Sequence, residues 1–138
     1  MLQQLLVNVG LYKNITQKSN HFFMSVNNKS ILEKANAAVT TGDNEGFLAY
    51  CTEDTVWTFV GEQSLHGKEA VREYMKKAYV EPPKFDIEEI IAEGNFVTAL
   101  GKISMKNEEG ELKHYSYCDV WKLRDGKLDV LKAFVIEA

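Results

Sequence analysis

The chain has 138 residues, 45% hydrophobic and 26% charged, which is enough for one domain with one core and too few for two. Its net charge is −4 and its 16 lysines and arginines are scattered, so a nucleic-acid footprint is excluded. Cys51 and Cys118 are too few for a disulfide framework and lack the spacing of a metal site, so they fit thiols in a reducing, cytoplasmic setting, with no metal and no cofactor expected.

The first 24 residues differ in character from the rest of the chain. Their apolar run is only a few residues long and is broken by Asn8, too short for a signal peptide and far too short to span a bilayer, so no membrane role is expected. Two readings stay open for residues 1–24: a weakly ordered N-terminal extension, or a chain that properly opens at Met24. The Asn-x-Ser/Thr matches at Asn14 and Asn28 matter only in a secreted protein.

The domain proper is expected over residues 25–138. Ile31, Leu32, Ala35, Ala38 and Val39 recur at helical spacing and stop at Gly42, which predicts a first helix. Asp43 is placed to cap a second, short helix over "NEGFLAYCTED", with Glu53 and Asp54 read as helix-end and turn residues. "TVWTFV" is β-branched and aromatic and predicts a strand ending at Gly61-Glu62. A third helix follows Gly67, with Val71, Tyr74, Met75 and Ala78 on one face, and Pro82-Pro83 forbid its continuation.

Beyond the prolines the period changes from three and four to two. Four strand-like runs are separated by Gly94-Asn95, by Glu108-Glu109-Gly110 and by Asp125-Gly126, all hairpin chemistry. Helices first and long antiparallel strands afterwards predict an α+β domain with helices on one face of a sheet. The last strand, "VLKAFVI", is apolar on both faces, which predicts that its outer face meets a second subunit.

In the run "YSYCDVWKL", Tyr115, Tyr117, Asp119, Trp121 and Leu123 share one strand face by the two-residue period. A carboxyl in an aromatic row is poorly solvated, which disfavours its charged form and raises its pKa towards the range useful for proton transfer. Tyr117 is its same-face neighbour and a candidate to orient it. His66, in "SLHGKEA", is the other candidate acid/base, in the loop before the third helix. Trp57, Phe59, Tyr74, Trp121 and Phe134 are the candidate apolar wall of a ligand pocket. His114 and Cys118 fall on the face opposite Asp119.

The ordered set "TTGDNEGFLAYCTEDTVWTF", "LHGKEAVREYM" and "YCDVWKLRDGKLDVLKAF" resembles the SnoaL-like branch of the NTF2-like superfamily, which includes ketosteroid isomerases and polyketide cyclases. The resemblance covers roughly residues 28–137. It implies a cone: three N-terminal helices packed on a strongly curved, mostly antiparallel sheet, a pocket at the open end, and a homodimer. It also puts Asp119 at the strand position where ketosteroid isomerases keep a protonated carboxylic acid. The tyrosine that those enzymes carry on the first helix falls on Ala35, however, and their general base falls on or beside Phe59, which argues against steroid-type isomerisation. The arginine between two aspartates of the epoxide hydrolases on this fold is missing, since Tyr117 stands two residues before Asp119. A polyketide-cyclase-like aspartate fits better. The expected activity is cofactor-independent isomerase, cyclase or dehydratase chemistry on a small hydrophobic carbonyl compound, against a non-catalytic ligand-binding or dimerisation module of the same fold.

Overall fold

A computed structural model describes the backbone of residues 2–138 and the side chains from residue 13 onward. The chain forms helix α1 (Leu2–Thr40), helix α2 (Asn44–Leu48), strands β1 (Cys51–Phe59) and β2 (Gln63–His66), helix α3 (Lys68–Ala78), and strands β3 (Lys84–Glu93), β4 (Phe96–Lys106), β5 (Leu112–Arg124) and β6 (Lys127–Glu137). The six strands make one mixed sheet in the order β2-β1-β6-β5-β4-β3. Only the β1–β6 pairing is parallel.

The α+β class and the four C-terminal strands stand as expected, and two details of the architecture are corrected. One long helix precedes the sheet rather than three: α2 is a single turn and a half, and α3 is inserted between β2 and β3. The sheet is open, with β2 and β3 as its edges, and is not strongly curled. α1 runs without a break through residue 25.

Local chemistry accounts for the boundaries. The Asp43 carboxylate accepts the Gly46 N–H at 2.8 Å and so caps α2. α2 then ends at Leu48, and Cys51 to Asp54, expected as helix end, belong to β1. The sheet claims them: Cys51 pairs with Leu128, and Thr52 and Thr55 hydrogen-bond Asp129 on β6 at 2.7 and 2.8 Å. Glu53 and Asp54 point outward and pair with Lys68 and Arg124.

Helices cover one face of the sheet. Leu32, Ala35 and Val39 of α1 and Val71 and Met75 of α3 are buried against Val97, Ala99 and Ile103 of β4, Trp121 and Leu123 of β5, and Leu131 of β6. α1 is tied to the β3–β4 turn by two polar bonds: the Asn28 amide donates to the Gly94 carbonyl at 2.8 Å, and the Gly94 N–H donates to Ser25 Oγ at 2.7 Å. A bulge between Ile87 and Glu89 shifts the alternation of β3, so that Phe85 before it and Ile90 and Ala92 after it all pack on the core. Among the described residues, no helix is long and apolar enough to cross a membrane.

Candidate functional site

The helices do not fill the whole inner face. Between them and the sheet lies a cavity of about 390 Å³, a size usual for small-molecule sites. Its wall is built from alternate residues of the strands: Trp57 and Phe59 from β1, Tyr115, Tyr117, Asp119 and Trp121 from β5, and Leu131, Ala133 and Val135 from β6. Tyr74 and Met75 of α3 and Asn36 and Val39 of α1 close it from the other side.

Strand register explains why the void lies next to Asp119. Its partners across the sheet are Ala99 on β4 and Ala133 on β6, both buried and both too small to cover it. Asp119 therefore keeps part of its surface open, and that surface is cavity wall. Its other surroundings are aromatic. Trp57 and Trp121 meet edge to face at 5.6 Å, Phe47 stacks edge-on against Trp57 at 5.5 Å, and Phe85 meets Tyr117 at 5.8 Å.

Burial in this setting pushes the Asp119 carboxyl up to about 7, because a charge there loses water and gains no counter-charge. Among the described residues no side chain hydrogen-bonds it. Two further polar atoms of the wall, the Tyr117 hydroxyl and the Trp57 indole N–H, are buried without a partner. Tyr117 is pushed up to about 12, by burial first and by the nearby Asp119 charge second, and Tyr79 is raised for burial first with Asp119 contributing. Buried polar atoms are normally paired, so two unpartnered ones beside an open carboxyl are uncommon in a core.

Of the eight residues singled out from the sequence, Asp119, Tyr117, Trp57, Phe59, Tyr74 and Trp121 line this cavity. His66 does not. It is the last residue of β2, exposed, and alternates away from Leu65, which packs on the core. Phe134 does not either: with Ala133 inward, Phe134 projects to the outer face, opposite Cys118, and is 43% exposed. The apolar run of β6 hid its register, which the pairing of Asp119 with Ala133 fixes.

Several wall residues escaped the sequence reading. Asn36 stands one position beyond Ala35 within the buried stripe of α1, Tyr79 directly follows α3, and Glu62 lies in the β1–β2 turn. A polar residue interrupting the helical stripe was the available signal for Asn36. Glu62 carried no signal, since a glutamate in a tight turn reads as solvated.

The SnoaL-like domain family matches residues 32–130. The chain belongs to the SnoaL-like family. Its backbone is that of the NTF2-like proteins. An NTF2-like protein of unknown function from Cytophaga hutchinsonii superposes with a TM-score of 0.66 at 22% identity, over 82% of this chain and 99% of that one. An epoxide hydrolase of the LEH-like type from M. tuberculosis gives 0.72 at 16%, over 80% and 84%. The epoxide hydrolase/cyclase-like enzyme of pyran ring formation in the polyether salinomycin gives 0.72 at 23%, over 78% and 89%. These identities establish a shared fold. No curated protein matches the sequence significantly.

Proposed function

We propose that this SnoaL-like protein binds a small apolar molecule bearing a carbonyl or hydroxyl group and acts on it by acid/base chemistry of isomerase, cyclase or dehydratase type, without a cofactor. One observation carries the reading: the Asp119 carboxyl borders an aromatic cavity with no protein partner and changes charge at about 7. Protonated, it donates a hydrogen bond to a ligand oxygen and stabilises negative charge developing there; ionised, it accepts a proton from carbon or oxygen. Tyr117 walls the site beside Asp119 with its hydroxyl sealed from the cavity, and Trp57, Phe59, Tyr74 and Trp121 hold the apolar body. Relatives of the same fold with epoxide hydrolase and cyclase names support the class by analogy only, because one fold hosts many chemistries.

The lack of a side chain orienting Asp119 favours a second reading, a ligand-binding module without turnover. Thermal-shift screening of aromatic and terpenoid ketones, followed by turnover assays on each hit, separates the two. The enzyme reading expects a stabilising ketone and a loss of turnover of about 100-fold or more in Asp119→Asn. Binding without turnover by wild type selects the module, and a complete lack of binders removes both.

We also propose a homodimer through the outer face of the sheet. Ile91 on β3, Phe96 on β4, and Phe134 and Ile136 on β6 are exposed there, apolar side chains that a second copy would cover. The free thiols are in keeping with a cytoplasmic protein.

A further inference from the structure

The charged side chains that line the cavity are all carboxylates. Asp119 lies inside it, Glu62 and Glu137 also border it, and no lysine, arginine or histidine is among the residues that line it. The titratable groups that feel the Asp119 charge are Tyr117, Tyr79 and the neighbouring thiol of Cys118. A buried carboxylate in such a place is costly unless a cation joins it. Ring faces add attraction for a cation, most strongly for tryptophan, and the wall holds Trp57 and Trp121.

We propose that the cavity selects its ligands by charge, taking amines with an apolar body, whose ammonium lies against the Asp119 carboxylate among the aromatic rings, and rejecting carboxylates and phosphates. This inference rests on the reading of the cavity as a ligand site and is independent of turnover there. The carboxyl that donates a hydrogen bond to a neutral ligand when protonated pairs with an ammonium when ionised. The Glu62 carboxylate repels anions on approach, whereas Glu137 is paired with Lys113 at 3.4 Å. Acyl phosphates and free organic acids are thereby excluded as substrates, and amino ketones, amino alcohols and alkaloid-like amines are favoured.

Trp57 and Trp121 are the chain's two tryptophans, so intrinsic fluorescence reads this cavity without a label. Benzylamine, benzyl alcohol and benzoate are of nearly one shape and differ in charge. Titrated into the full chain at pH 8, benzylamine is expected to bind roughly tenfold more tightly than benzyl alcohol, with benzoate not saturating. Asp119→Asn is expected to abolish the preference for benzylamine over the alcohol, with an unchanged far-ultraviolet circular dichroism spectrum showing that the variant is folded. Benzoate binding as well as benzylamine, or an amine preference unchanged in Asp119→Asn, overturns the inference. Equal binding of amine and alcohol to wild type overturns it too but leaves the ligand site standing. A lack of response to all three overturns both. The wild-type comparison decides the charge preference even where the variant does not fold.

Discussion

Asp119 on β5 and Ala133 on β6 are directly paired across the sheet, side chains to the same face, with Ala99 on the other flank. A carboxyl between two methyl groups has nothing tall enough beside it to cover it. That arrangement, more than any single polar contact, creates the space in front of the acid. Ala133→Leu is therefore expected to fill the cavity beside Asp119. Ligand-induced changes in tryptophan fluorescence should disappear, while stability changes by no more than about 1–3 kcal/mol, the usual range for added methylenes. Retained ligand binding in this variant would place the site elsewhere.

Stability should depend on pH through the same group. The folded protein holds a proton on Asp119 up to about 7, whereas the unfolded chain releases it near the ordinary carboxylate value of 3.8. Between those values the folded state binds more protons than the unfolded one, so this stabilisation is complete below the unfolded pKa and is lost as pH rises through about 7. Urea midpoints of wild type and Asp119→Asn measured from pH 4 to 8 should show the variant gaining on wild type as pH rises. The gain is of the order of a few kcal/mol, lessened by water in the cavity. A constant difference across that range contradicts the assignment.

Gly101 is a packing requirement on the neighbouring strand. It faces inward between Tyr117 on β5 and Ile87 on β3, and a Cβ there would overlap the Asp86 carbonyl oxygen where β3 bulges. That neighbour is backbone and cannot swing aside. Gly101→Ala should cost about 2 kcal/mol or more and loosen the β3 edge. Chemical denaturation measures the loss, and hydrogen exchange of the β3 amides locates it.

The tie between α1 and the β3–β4 turn gives a third stability prediction. Asn28 is 2% exposed and its amide satisfies the Gly94 carbonyl. Asn28→Ala leaves that carbonyl buried without a partner, which should cost about 1–3 kcal/mol. Asn14→Ala, on the exposed part of the helix, should leave the urea midpoint unchanged within about 0.5 kcal/mol.

The proposed dimer is tested on the outer face. Phe134→Glu places a charge on that face, two residues from Ile136 on β6, without touching the cavity wall. Light scattering should report a dimer for wild type and a monomer for the variant at micromolar concentration. A monomeric wild type removes the proposal.

The hairpins were legible because Gly94-Asn95 and Asp125-Gly126 are local turn chemistry, and Asp119 was legible because two-residue alternation on β5 is unbroken from Tyr115 to Leu123. β2 was not, since Gln63-Ser64-Leu65-His66 has little strand propensity and is held extended by its pairing with β1. Tyr50-Cys51-Thr52 read as a continuing helix, and only the ladder to β6, far along the chain, makes Cys51 a strand residue. Phe134 was turned to the wrong face for a related reason: in a run that is apolar on both sides, register is set by the partner strand and not by the run itself. The exposed place of His66, at the end of β2, follows from the pairing of β2 with β1.

The most direct test of the account is a carbon-13 NMR titration of the Asp119 carboxyl, assigned by its disappearance in Asp119→Asn. The account predicts a midpoint at about 7 in the free protein, moving when a ligand occupies the cavity. A midpoint in the ordinary carboxylate range, unmoved by any ligand that alters tryptophan fluorescence, contradicts it.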